Sequence, residues 1–298
     1  MKFKNGLLIC SIFLFFVIIS SGIVFAEDSA LPLVDSGEVS GGVDISSVNP
    51  FNSTSSELIY EIPEDVTEIR SANVVVSTYS GSGAPTYGLT TNISLNTNDK
   101  SEILEYANLT YPDSTASDPV IYPITNFTSK QYSDYQSLFD ITEKVKGLSS
   151  GDTITVSVNN TALEGYKFDG RIKLIALIFA YDDGDNDKIT YWLNVGQAWT
   201  KETLTTVFNT KEFDDEYSDV VLESIALSSA DATYMLNGKL LLEPQQEQGE
   251  YYIYDVWNIG DKFELGNNTN LTYTSSKAST YSSYKASIQL LKINTPEK

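Results

Sequence analysis

Histidine is missing from the sequence, and its only cysteine, Cys10, lies in an apolar run at the N-terminus. The rest of the chain therefore has no disulfide bond and no zinc, iron–sulfur or copper site of the usual nitrogen and sulfur type. A hydrolase would need paired carboxylates or a serine–lysine pair. With 40 acidic residues, the sequence does not single out any pair of carboxylates as catalytic. The sequence predicts a protein that is not an enzyme.

Basic residues are also scarce. Lys and Arg number 19 against 40 Asp and Glu, which gives a formal net charge of -21. The electrostatic field of this negative charge repels phosphate backbones, and nucleic-acid binding needs clustered Lys and Arg. Nucleic acid is therefore excluded as a partner. The same field attracts cations and keeps an exported protein dispersed.

Residues 1–26 have the pattern of a secretory signal peptide. Lys2 and Lys4 precede an uncharged, largely apolar run that ends in Val24-Phe25-Ala26, just before Glu27. Cleavage there predicts a secreted or cell-surface protein. The alternative is a retained N-terminal anchor, because the run is long enough to span a bilayer. The membrane is therefore a partner only through this segment.

Beyond this segment the sequence has the features of an all-β protein. Residues 27–56 are rich in Ser, Gly and Asp, which predicts a linker, although residues 41–45 could form an edge strand. Polar and apolar residues then alternate in 92–96, 153–158 and 270–274, as in half-buried strands. Two other stretches suggest helix: 101–106, and a capped turn from Asp140 to Glu143 that ends near Gly147.

The two halves of the chain share an order of segments, which indicates an internal repeat. The segments are 72–78, 91–96, 138–142, 151–156 and 171–181 in the first half, and 220–227, 233–238, 252–256, 266–272 and 284–293 in the second. We predict an all-β fold of two tandem jelly-roll-like antiparallel β-sandwich units, at residues 57–200 and 201–298. Chance agreement of generic strands is the alternative.

The segment Tyr181-Asp182-Asp183-Gly184-Asp185-Asn186-Asp187, followed by the aromatic stretches 191–194 and 196–199, is the most specific motif. Together with residues 39–44, 139–145 and 169–172, it resembles the adhesin-like surface proteins of methanogenic archaea that carry a conserved domain of unknown function. The resemblance covers about residues 39–293. It implies an exterior location and adhesion, and it supplies no catalytic residues.

The acidic loop is also a candidate calcium site. Its oxygen-bearing side chains are Asp182, Asp183, Asp185, Asn186 and Asp187, and Gly184 permits a sharp turn. Calcium takes six to eight oxygen ligands, and close carboxylates repel one another unless a cation neutralises them. The pattern is not an EF-hand, since no Glu stands at the twelfth position. A solvated acidic turn is the alternative.

Two further sets of residues are candidate surface sites. Glycosylation sequons occur at Asn52, Asn92, Asn108, Asn126, Asn159, Asn267 and Asn270. The tryptophans Trp192, Trp199 and Trp257 are candidate ligand platforms, because aromatic rings stack on sugar faces. Core packing is the alternative for each ring.

Three functions remain open at this stage. The first is an exported adhesin-like or envelope structural module, whose partners are cell-envelope components or surface glycans. The second is a carbohydrate-binding module, which a coplanar pair of exposed rings would favour over a flat polar surface. The third is a glycosidase-like enzyme, which would need two facing carboxylates in a deep cleft.

Overall fold

The computed structural model describes residues 29–81, 86–98, 100–111, 122–123, 127–131, 134–200, 202–227, 232–242, 244–249, 251–275 and 284–296. The predicted signal peptide and the sequon at Asn126 lie outside these ranges. Within them, no helix has the length and apolar composition needed to cross a membrane.

Strands dominate the first half of the chain. They are β1 (Leu33–Val39), β2 (Gly42–Val48), β3 (Ser55–Glu61), β4 (Glu68–Tyr79), β5 (Tyr87–Thr97), β6 (Lys100–Tyr111), β7 (Tyr122–Pro123), β8 (Phe127–Gln131), β9 (Asp134–Asp140), β10 (Thr153–Ala162) and β11 (Arg171–Asp182). One helical turn, α1 (Thr142–Val145), separates β9 from β10.

The second half contributes nine more strands. They are β12 (Lys188–Thr200), β13 (Thr203–Phe208), β14 (Asp219–Leu227), β15 (Ala232–Leu236), β16 (Lys239–Leu240), β17 (Gln245–Gly249), β18 (Tyr252–Asn258), β19 (Thr269–Ser275) and β20 (Tyr284–Thr295). All their pairings are antiparallel.

These strands form two sandwiches with the same topology. In unit 1, inner sheet 1 has the order β2-β11-β4-β9-β8-β7, and outer sheet 1 the order β3-β10-β5-β6. In unit 2, inner sheet 2 has the order β1-β12-β20-β14-β18-β17, and outer sheet 2 the order β13-β19-β15-β16. Without β1 and β7, nine consecutive strands of each unit pair in the same way. The predicted fold of two tandem antiparallel sandwiches is confirmed.

The two units pack through their inner sheets, which gives four layers. One core lies between the sheets of unit 1 and a second between those of unit 2. A third apolar cluster joins the inner sheets, with Val75, Ile178, Leu193 and Leu290 among its members. Because inner sheet 1 is covered on both faces, its strand β11 is buried along almost its whole length and is mostly apolar; β10, with one solvent-facing side, alternates.

The described part of the predicted linker, residues 29–56, contributes to both units. Leu31 is fully buried in the core of unit 2, and the Ala30 N–H donates to the carbonyl of Thr205 at 2.8 Å. β1 then pairs with β12, and β2 is the edge strand of inner sheet 1. Only the edge-strand alternative was right here. The low apolar content misleads because β1 and β2 are sheet-edge strands.

β12 and β6 also differ from expectation. β12 belongs to inner sheet 2, although the predicted division at residue 200 assigned it to unit 1. Residues 101–106 form part of β6 instead of a helix, and a bulge opposite Ile93 and Ser94 disturbs the alternation that marks a strand. The turn at α1 is present, but Ile141 is its N-cap; Asp140 Oδ1 accepts the Thr142 N–H at 2.9 Å.

Candidate functional site

The acidic loop after β11 is the passage from unit 1 to unit 2. It lies against Ser40 and Gly41, where the chain passes between the units a first time. The Ser40 N–H donates to Asp182 Oδ1 at 2.9 Å, and Ser40 Oγ accepts the N–H groups of Asp183 and Gly184 at 3.2 and 3.4 Å. A Cβ on Gly41 would lie 2.5 Å from the Tyr181 ring, so only glycine permits this approach. These contacts hold together the two segments that connect the units, residues 40–41 and the acidic loop.

Two carboxylates of this loop accept hydrogen bonds from the loop's own backbone. Asp183 Oδ1 accepts the Asp185 N–H at 3.1 Å, and Asp185 Oδ1 accepts the Asp187 N–H at 3.0 Å, which are Asx-type turns. Among the described residues, no three His, Cys, Asp or Glu side chains are grouped so that they could hold a metal ion. Calcium binding stays a prediction. Calorimetry on the wild type and Asp185→Ala tests it.

The tryptophans are mostly core residues. Trp192 and Trp257 are 8% and 4% exposed and belong to the core cluster of unit 2. Trp192 packs edge-on to Phe213 at 6.4 Å, and Trp257 packs edge-on to Tyr234 at 4.7 Å. Neither ring offers a face for stacking, so the platform prediction is wrong for both. Trp199 is half-buried on β12.

A cleft of about 360 Å³ nevertheless opens beside Trp192. Its walls are β1, the start of β12 and the loop between β13 and β14. Its lining combines the aromatic residues Tyr191, Trp192 and Phe213 with the carboxylates Glu38, Glu212, Asp214 and Asp215. Sequence analysis missed this cleft because β1 was assigned to a linker.

The cleft is electronegative and open to water. All four carboxylate residues are exposed. Lys188 Nζ lies 2.6 Å from Glu38 Oε1, and this hydrogen bond raises the pKa of Lys188. Such a site suits a cationic or hydroxyl-rich ligand.

A buried ion triad joins the two units. Asp134 on β9 contacts Lys173 Nζ on β11 at 2.6 Å and also Lys285 Nζ on β20. All three residues are at most 5% exposed. Burial alone would raise the pKa of Asp134, but the two lysines hold it below its ordinary value. The triad therefore connects inner sheet 1 to inner sheet 2.

A second polar contact between the units centres on Asp35 of β1. Its Oδ2 accepts from Ser71 Oγ, from Asn73 Nδ2 at 3.2 Å and from Tyr191 Oη at 3.0 Å. Burial raises the pKa of Asp35, although the bonds from Ser71 and Tyr191 oppose it. Burial, and then the charge of Asp35, raise the pKa of Tyr191.

The described sequons lie on the outside of the molecule. Asn92, Asn108 and Asn159 stand on outer sheet 1, and Asn92 pairs directly with Asn159. Asn270 stands on outer sheet 2, while Asn52 and Asn267 lie in exposed turns. Glycosylation stays a prediction.

The segment Gly147-Leu148-Ser149-Ser150-Gly151 fits the pattern G-x-S-x-G of serine hydrolases. In those enzymes the serine stands on a turn from strand to helix. Here the segment leads from α1 to β10, and Asp152 Oδ2 accepts the Ser149 N–H at 2.8 Å. With no histidine in the chain to act as base, this match is a surface turn.

Comparisons with known proteins add a family and no activity. A family model described as "Protein of unknown function (DUF3344)" matches residues 25–294. No curated protein matches the chain. One similar solved structure is PNGase F, a glycosylasparaginase from Flavobacterium meningosepticum, with 10% identity over 86% of this chain and 97% of that chain and a TM-score of 0.27. Another is dimeric latent PorU from Porphyromonas gingivalis, with 10% identity over 94% and 23% and a TM-score of 0.27. At these TM-scores the likenesses carry no argument.

Proposed function

We propose, for a chain that belongs to the DUF3344 family of proteins of unknown function, an exported, non-enzymatic surface module of adhesin-like or envelope structural type. Export rests on the signal-peptide pattern of residues 1–26. Rows of polar side chains on the outward faces of the outer sheets support this proposal. Thr203 pairs with Thr274 through hydroxyls 2.8 Å apart, and Thr205 with Thr272 at 2.9 Å.

Outer sheet 1 has a face of the same character. Its outward residues on β5 and β10 are Ser, Thr and Asn, and Asn96 Nδ2 donates to Ser157 Oγ at 3.4 Å. A regular array of hydroxyls and amides suits contact with hydrated polymers such as surface glycans. Phe51 and Tyr251 lie 4.6 Å apart, but their planes differ by 34° and Phe51 is buried. This pair is not an open stacking platform.

Surface labelling in the native host tests the proposal. Labelled, envelope-extracted protein should begin at Glu27, and Ser157→Arg or Thr205→Arg should reduce its retention on the envelope. Glu64→Arg, in an exposed turn, is the matched control and should be retained like the wild type. Unlabelled protein that keeps Met1 inside the cell would overturn the proposal.

The cleft beside Trp192 favours a second candidate, the carbohydrate-binding module. Its four exposed carboxylates could accept hydrogen bonds from a hydroxyl-rich or amino-sugar ligand. A glycan array with the mature chain should then show binding that Glu212→Gln and Asp214→Asn weaken. Turnover of a bound glycan, lost on one of these substitutions, would instead indicate a glycosidase-like enzyme.

A further inference from the structure

Unit 2 contains a row of polar residues inside its sandwich. Asn194, Gln289, Ser224 and Asp255 are direct neighbours on β12, β20, β14 and β18. Each is at most 1% exposed. They occupy the same face as the core residues two positions away, such as Trp192 and Leu291, because side chains alternate along a strand. The row therefore points towards outer sheet 2.

Unit 1 has an almost entirely apolar row in the equivalent place. Leu222 pairs with Trp257 and Leu291, as Val74 pairs with Phe139 and Leu177. Two residues further along each strand, Ser224 corresponds to Val76. The neighbouring equivalents are Ile175 for Gln289, Val48 for Asn194 and Ser137 for Asp255. Polar residues were thus not required by the topology at three of these positions.

Several atoms of the polar row have no hydrogen-bond partner among the residues that the structure describes. They are both amide atoms of Gln289, the hydroxyl of Ser224 and Oδ1 of Asn194. On the facing outer sheet 2, the hydroxyl of the fully buried Thr206 also has no hydrogen-bond partner among the described residues. A buried polar group left unsatisfied costs about 1–3 kcal/mol, so a native core supplies it with a partner.

We propose that the interior of unit 2 holds ordered water molecules bound by Gln289, Ser224, Asn194 and Thr206. An internal water needs two to four polar partners, and these side chains supply both donors and acceptors. These four are neutral amides and hydroxyls, and the row adds only one carboxylate, that of Asp255; this set favours water over a metal ion. Unit 1 has Val48, Ile175 and Val76 at the equivalent positions, so we expect no such water there.

A high-resolution crystal structure of the wild-type protein tests this directly. We expect at least two solvent peaks within about 3 Å of the Gln289 amide and the Ser224 hydroxyl. Direct hydrogen bonds between these side chains, with no density between the sheets, would overturn the proposal. Density for an organic molecule in place of water would overturn it as well.

Substitutions that transfer unit 1 residues to the polar row give an independent measurement. The double variant Ser224→Val with Gln289→Ile copies Val76 and Ile175, and its crystal structure should lack the solvent peaks. Thr206→Ser keeps the hydroxyl and is the matched control, which should retain them. Peaks that persist unchanged in the double variant would show that the polar row does not bind them.

Discussion

The two faces of inner sheet 1 differ in how they are held. Towards its own outer sheet, inner sheet 1 presents an apolar face with Val74, Leu177 and Phe179. Towards the other unit, the inner sheets combine apolar residues with buried charges, above all Asp134 between Lys173 and Lys285. Apolar contact is non-directional, whereas ion pairs and hydrogen bonds require a defined geometry. Unit 1 is thus held together mainly by apolar burial, and the register between the two units is set by polar contacts.

Removing Asp134 should have the largest effect. Asp134→Ala leaves two buried lysines without their shared carboxylate, and we expect a loss of about 3–5 kcal/mol in the free energy of unfolding. Chemical denaturation measures it. Glu102→Ala breaks the exposed Lys144–Glu102 pair and, as the control, should cost at most about 1 kcal/mol. Equal losses would show that the triad has no special role.

The apolar face should be nearly as sensitive. Leu177→Ala opens a cavity in the core of unit 1, and we expect a loss of about 2–5 kcal/mol by chemical denaturation. Ile59→Ala removes a side chain that is 61% exposed and should change stability by about 0.5 kcal/mol or less. A small loss at Leu177 would mean that the sandwich collapses around the cavity.

A smaller effect is expected where the chain crosses between units. Ser40→Ala removes the acceptor for the N–H groups of Asp183 and Gly184, and we expect a loss of about 1 kcal/mol. Ser46→Ala, on the neighbouring strand β2, is the control. Hydrogen exchange of residues 183–187 should become faster in Ser40→Ala alone. Unchanged exchange would show that the hydrogen bonds to Ser40 Oγ are not needed to hold this loop.

The contacts of Asp35 and of Asp134 should respond to pH in opposite directions. Because burial raises the pKa of Asp35, the folded state binds its proton more tightly than the unfolded state. Its contribution is therefore present at low pH and lost as pH rises through the raised pKa. The Asp134 pKa is lowered, so its contribution has the opposite sign and is lost on acidification. Asp35→Asn should remove the fall in stability with rising pH; an unchanged profile in urea titrations would contradict this.

Part of this architecture was predictable from the sequence. The repeat was visible because corresponding strands keep their order, and β10 shows its one-sided burial as alternation. The role of β1 was not visible, since an edge strand such as Leu33–Val39 carries polar residues that suit a linker equally well. The inward direction of Trp257 was hidden because it alternates in phase with the buried Asp255, so the strand shows no clean apolar face.

The sites were less predictable for a related reason. Asp134, Lys173 and Lys285 come from three strands far apart in sequence, and no local pattern marks a carboxylate that two lysines will share. The acidic loop was noticed because its residues are consecutive, yet its carboxylates accept its own N–H groups. Local density of charge therefore indicated a turn, while the buried charges depend on tertiary pairing.

The position of β1 also imposes an order on folding. Its partner β12 follows all the strands of unit 1, so β1 is synthesised early and has no partner until the second half of the chain exists. Unit 1 can close once β11 is made, because its sheets use β2 to β11. Unit 2 must recover Leu31 and β1 from the opposite end of the chain, a closure over a long sequence separation that slows folding. Although β1 is made before every other strand that the structure describes, it is thus among the last to reach its native place.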